Sequence, residues 1–290
     1  MWFYFALSSA LLSATAAILE KRALFDVSAL SFSTLLAVLN ALFSIPFLYF
    51  VDFASISMAT YGTIAFKSLL GSISFFLVMS GIKRLELSNA LPLLVLTPGL
   101  VAVFAWILLG DHLTRLEILG MVLLLVGTYM LQTGRPGNLV KPMKATVKKG
   151  AYWYIVGALL VFTLTSILDK WLLGSYRVTP EAYLPLQHFF MAIFFSILVF
   201  FTKTHQNILR KDFPKIWKWV LAVAIVTILY RYAHILAVKA GAVALALSVK
   251  RTSVFFAAII GGQIFKEERL FFKAIAIAVM LGGAILVILQ

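Results

Sequence analysis

The chain has 290 residues, is 62% hydrophobic and only 12% charged, has a mean hydropathy of +1.02, and carries a formal charge of +14 from 25 Lys and Arg against 11 Asp and Glu. Soluble domains run at about 45–50% apolar and about 25% charged residues, so this composition excludes a water-soluble globular protein and indicates an integral membrane protein. It also argues against a nucleic-acid partner, because the cations lie between apolar runs rather than on a solvated face; the lack of Cys excludes disulfides, thiolate metal sites and a cysteine nucleophile.

A helix needs about 20 apolar residues to cross a bilayer. Ten candidate spans follow one another, at 2–19, 29–50, 61–80, 87–110, 115–133, 150–173, 183–202, 219–238, 242–265 and 270–289. Span one contains Ser13-Ala14-Thr15-Ala16-Ala17, which looks like a signal-peptide cleavage site, but no basic segment precedes its apolar run. Instead it has a counterpart further on. Ile18-Leu19-Glu20-Lys21-Arg22-Ala23-Leu24 closes span one, and Ile167-Leu168-Asp169-Lys170-Trp171-Leu172-Leu173 closes span six. Gly110-Asp111-His112-Leu113 ends span four and lies over Lys266-Glu267-Glu268-Arg269, which ends span nine; Gly127 of span five lies over Gly283 of span ten.

The expected fold is all-α and integral to the membrane, with ten transmembrane helices as two inverted five-helix repeats around a central cavity. The first repeat covers 1–138, a basic linker covers 139–149, and the second repeat covers 150–290. An odd number of spans per repeat turns the second copy upside down, and such designs place a substrate site near the midplane between the halves. Gly120 and Gly127, matched by Ala276 and Gly283, form small-residue faces on which spans five and ten pack together.

Charge placement sets an orientation. Loops after odd-numbered spans carry 17 of the 25 Lys and Arg, whereas loops after even-numbered spans carry only Arg115, Arg177 and Lys239. The positive-inside rule then puts the odd loops in the cytoplasm and both termini outside, in a cell inner (plasma) membrane protein. The basic 141–149 and 203–218 loops read as anchors to anionic lipid headgroups.

Five cations remain within spans: Lys67, Lys170, Arg231, Lys250 and Arg251. A Lys or Arg at the centre of a membrane helix costs about 2.5–3.5 kcal/mol on insertion scales, so such residues face a bundle interior and mark a transport path. Lys250 and Arg251 lie close to the midplane of span nine with Ser253 nearby, and on span eight Tyr230, Arg231 and His234 share a face. Gln187 and His188 of span seven join them as candidate substrate ligands. Lys67 reads as snorkelling to the interface. Glu20 beside Lys21 and Asp169 beside Lys170 read as local ion pairs or gating residues, and Pro92 and Pro98 as a hinge in span four. With no mid-span acid opposite Arg231, Lys250 and Arg251, the substrate is expected to bring the negative charge. No nucleotide-binding loop, zinc-ligand pattern or serine elbow is visible, so neither catalysis nor ATP hydrolysis is expected, and no cofactor or metal.

Ten spans in two repeats, with Gly110-Asp111-His112-Leu113-Thr114 and Phe265-Lys266-Glu267-Glu268 at the ends of spans four and nine, resemble the EamA type of the drug/metabolite transporter superfamily over essentially the whole chain. The resemblance implies that spans one to four and six to nine surround the cavity, that spans five and ten are peripheral, and that access alternates without ATP. Ser248-Val249-Lys250-Arg251 further resembles the Lys-Arg pair of the plastid triose-phosphate/phosphate translocators, which implies anion ligation by Lys250 and Arg251. Those translocators have another lysine in span four, where this chain has Leu94, so the resemblance does not extend to triose phosphate.

The expected function is secondary transport of a small anionic or zwitterionic metabolite bearing phosphate or carboxylate. A flippase for a lipid-linked phosphate is the alternative within transport, and a non-transporting sensor or assembly factor the alternative outside it. Expected partners are the substrate and membrane lipids, with a monomer favoured over a homodimer.

Overall fold

A computed structural model describes residues 2–53, 56–97, 100, 103–104, 114–133, 150–174, 178–202, 207–240, 249–250 and 252–288. The described residues form ten α-helices and no strands: α1 (Trp2–Leu24), α2 (Ala29–Ser44), α3 (Met58–Arg84), α4 (Leu87–Leu93), α5 (Arg115–Thr133), α6 (Ala151–Gly174), α7 (Pro180–Phe201), α8 (Phe213–Ala240), α9 (Ser253–Ile264) and α10 (Leu270–Ile288). Each overlaps one of the ten expected spans. Five stretches are long and apolar enough to cross a membrane, Trp2–Leu24, Ala29–Phe50, Met58–Arg84, Glu181–Phe201 and Ile208–His234. The molecule is an all-α, multi-pass membrane protein.

Helix ends follow local chemistry. Ser28 and Ser57 cap α2 and α3, their hydroxyls accepting from the N–H of Ser31 at 3.0 Å and of Thr60 at 3.2 Å. The Ser57 cap starts α3 three residues earlier than hydropathy alone indicates, because Thr60 and its neighbours are polar enough to fall below an apolar threshold yet continue the helix. Pro46 lacks an N–H, and the second span tightens there into a 3₁₀ segment, Ile45–Phe50. Pro92 acts similarly in span four: it leaves the Ser88 carbonyl without its usual donor, and α4 gives way after Leu93 to a 3₁₀ turn, Leu94–Leu96. Pro98 and most of the remaining span lie outside the described residues.

The packing obeys a simple exchange rule. α1 packs most extensively on α8 and α3 on α6, while α2 pairs with α7, α4 with α9 and α5 with α10. Exchanging each helix of the first five with its counterpart in the second five leaves this set of pairs unchanged, as a pseudo-twofold relation between two inverted repeats requires. The α5–α10 contact is the small-residue packing read from the sequence. A Cβ on Gly283 would lie 2.6 Å from the Gly120 carbonyl oxygen, and one on Gly127 would lie 2.8 Å from that of Ala276. Only glycine permits backbones to approach so closely.

The largest apolar cluster draws on Leu24, Phe32, Met79, Ile82, Leu87, Ile155, Ile216 and Ala257, all from helix segments near the loops that follow odd-numbered spans. That end of the bundle is packed shut, and an edge-to-face contact of Phe25 with Phe265, 5.6 Å between centroids, adds to the closure.

Candidate functional site

The polar side chains of the described helices fall into two groups at different depths. The first lies at the closed end. Glu267, in the turn between α9 and α10, accepts the backbone N–H of Leu87 at 2.6 Å and of Ser88 at 3.1 Å, and also takes the Ser88 hydroxyl. A carboxylate from one half of the chain thus caps the first turn of α4 in the other half, where the helix dipole and unpaired N–H groups favour negative charge. Lys273 of α10 binds the Glu86 carboxylate and reaches the Ser88 hydroxyl at 2.9 Å; Asn89 donates to the same Glu86 oxygen at 2.7 Å.

The turn that aims Glu267 is conformationally costly. Lys266 and Arg269 flank it with φ of 55° and 57°, the left-handed region that only glycine enters freely. In return the Glu267 N–H bonds the Gly262 carbonyl at 2.8 Å and closes the end of α9.

Lys21 belongs to this group too. It does not pair with its neighbour Glu20, contrary to the expectation from sequence. Successive helical residues point about 100° apart, and Lys21, only 6% exposed, turns into the bundle to donate to the Leu85 carbonyl at 2.7 Å and to that of Ile82. These are last-turn and C-cap carbonyls of α3, which have no helical donor of their own. Glu20 remains half-buried on another face. Asp169 and Lys170, their counterparts in span six, have side chains outside the described residues.

The second group lies at mid-depth. Lys67 is nine residues from the start of α3, His188 eight from the start of α7, and Arg231 nine from the end of α8; at about 1.5 Å per residue all three sit roughly 12–14 Å from the end bearing the even-numbered loops. The snorkelling expected of Lys67 does not occur. The early start of α3 carries it deeper, where it is 5% exposed and its ammonium lies 4.8 Å from the centre of the Tyr183 ring. Lys250 lies 5.6 Å from the centre of the Tyr230 ring, so the structure brings these two expected ligands of spans eight and nine together. The Tyr230 backbone is itself tied down, its carbonyl accepting the Ser9 hydroxyl of α1 at 2.8 Å.

Arg231, the next residue, instead lies within electrostatic reach of His188, as does Lys67. Gln187 and His188 are buried, whereas Tyr230, Arg231, His234, Lys250 and Ser253 are half-buried. Arg251 lies outside the described residues. Sequence reasoning missed the roles of Glu86, Ser88 and Lys273. The available signal was a pair of opposite charges, Glu86 and Lys273, each at the mouth of a span and each in a loop region of the same parity.

A sequence model of the EamA-like transporter family matches residues 1–133. That family is part of the drug/metabolite transporter superfamily, and the coarse function, membrane transport, follows from it. Among curated proteins none matches the chain. A crystal structure described only as that of a protein is similar over 98% of this chain and 95% of its own, with a TM-score of 0.63 at 17% identity. At that identity the likeness speaks for the fold alone, and it extends over both halves. Among the described residues no three His, Cys, Asp or Glu side chains cluster as metal ligands would.

Proposed function

We infer that the protein is a secondary transporter, without enzymatic activity, for a small anionic or zwitterionic metabolite, with Lys250 and Arg251 as ligands of the phosphate or carboxylate group. The observation that carries this reading is the position of Lys250, held at mid-depth over the Tyr230 ring on α8. A cation on a membrane helix at that depth faces the bundle interior and marks a transport path, and a substrate anion is the ligand that such a path supplies to it.

Residues 1–138 and 150–290 are taken as the two repeats, joined by the basic linker 139–149, and they rock about the mid-depth layer to expose it to each side in turn. With the odd-numbered loops in the cytoplasm of a plasma-membrane protein, the packed end is the cytoplasmic one and the site faces outward. The protein acts as a monomer in contact with anionic lipid.

Uptake into proteoliposomes across phosphorylated, carboxylated and cationic metabolites tests the reading. Lys250→Ala and Arg251→Ala are each expected to lower anion uptake by at least about tenfold, since a hydrogen bond to a charged group contributes about 1.5–3 kcal/mol. A preference for cations, or full anion transport by both variants, overturns it.

A further inference from the structure

The mid-depth layer contains more than the Lys250 site. Three buried side-chain atoms there have no hydrogen-bond partner: Nε2 of His188, Oε1 of Gln187 and Nε of Arg231. His188 is 2% exposed and Gln187 5% exposed, so neither gains a partner from bulk water. Leaving a buried donor or acceptor unmade costs about 1–3 kcal/mol each, and native interiors hold few such groups. Gln187 and His188 lie on α7, which packs on α2 and α3, and Arg231 lies on α8, which also packs on α2, within electrostatic reach of His188. Asn40, on α2, adds a fourth such atom, its Oδ1. The Gln187 amide nitrogen has only a weak partner, the Met191 sulfur at 3.9 Å. A half-turn of that amide presents its N–H groups instead.

Two cations, Arg231 and Lys67, lie within electrostatic reach of His188. A guanidinium with an unmade N–H, an imidazole nitrogen and a rotatable amide, all in a low-dielectric interior, form a donor set for an anion.

We propose that Arg231, His188 and Gln187, between α2, α3, α7 and α8, form a second anion station, separate from Lys250 and taking a carboxylate or a similar small oxyanion. The occupant is either the second acidic group of the transported substrate or a free small anion bound beside it. The station extends the reading of Lys250 but stands on different side chains, so either survives failure of the other.

Thermal unfolding of the purified full-length protein, titrated at constant ionic strength with acetate, inorganic phosphate and the dicarboxylates from succinate to suberate, tests the proposal, because a bound anion raises the midpoint by mass action. Acetate or phosphate is expected still to stabilise Lys250→Gln, in which the Lys250 site is removed, with apparent affinity falling about tenfold or more when Arg231→Gln is added to it, a loss of about 1.4 kcal/mol. Arg231→Lys, which keeps the charge but not the planar fork, is expected to fall in between. Should Arg231→Gln not fold, Gln187→Leu serves in its place, with the same loss expected. A dicarboxylate that binds tighter than acetate and weakens in both Lys250→Gln and Arg231→Gln marks one substrate bridging the two stations. Equal binding of acetate and the dicarboxylates marks a separate small anion. No stabilisation of the wild type by any of these anions, or undiminished stabilisation when Arg231→Gln and Gln187→Leu are each added to Lys250→Gln, overturns the proposal. Unimpaired uptake by Lys250→Ala and Arg251→Ala overturns only the transport reading above it.

Discussion

The closed end and the mid-depth layer hold similar side chains in opposite conditions. At the closed end Glu267 meets two backbone N–H groups and a hydroxyl, Lys273 meets Glu86 and Ser88, and Lys21 meets the free carbonyls of α3. At mid-depth His188, Gln187, Arg231 and Asn40 each keep a buried atom unpaired. Buried polar groups that serve structure are satisfied internally, whereas those reserved for a ligand wait for it. On the proposed reading the difference separates a latch from a binding layer, and both lie where helices of the two halves meet.

The largest expected effect breaks the latch. Glu267→Ala strips the cap from α4 and leaves Lys273 in a more positive setting; unfolding in detergent is expected to show a loss of about 2–3 kcal/mol, in the range for hydrogen bonds to charged groups. A stability within error of wild type would mean that these contacts are incidental.

The same bonds must open if the closed end is to expose the layer during transport. The chain has no Cys, so Ala90→Cys, at a position fully buried beneath the latch, reports opening directly. With Glu267→Gln added, thiol labelling from the odd-loop side is expected to rise about fivefold or more, as the closed state loses roughly 1 kcal/mol. Unchanged labelling would detach the network from gating.

At mid-depth the sign reverses. Gln187→Leu replaces an unsatisfied amide with an apolar group of similar size, so stability is expected to be unchanged or to rise by up to about 1 kcal/mol while anion binding falls. A clear destabilisation would place Gln187 with the satisfied residues and erase the contrast. The smallest effect concerns the strained turn. Lys266→Gly relieves a left-handed residue at about 1–2 kcal/mol but frees the unfolded chain, for a net gain expected below about 1 kcal/mol. Equilibrium unfolding alongside wild type measures it.

Much of this was legible in the residues. Apolar length located all ten helices, and the spacing of Gly120, Gly127, Ala276 and Gly283 indicated the α5–α10 contact that the backbone distances bear out. Single-file reading failed where a side chain chooses between neighbours. Lys21 beside Glu20 looks like an ion pair in one dimension, but the helix sends the two apart and offers Lys21 the carbonyls of α3. Lys67 looked interfacial because hydropathy starts its span late, whereas the Ser57 cap starts the helix earlier and carries the cation inward.

The sequence by itself determined that the chain spans a membrane and where along it the helices of the described residues lie. Those conclusions need only transfer energies and periodicity, both of which are properties of local segments. Tertiary structure alone decided that Glu267 caps a helix 180 residues away, that Lys250 meets Tyr230, and that Arg231 lies within electrostatic reach of His188. Partner choice among buried polar groups depends on which helices adjoin and at what depth, and that follows from packing the two halves together.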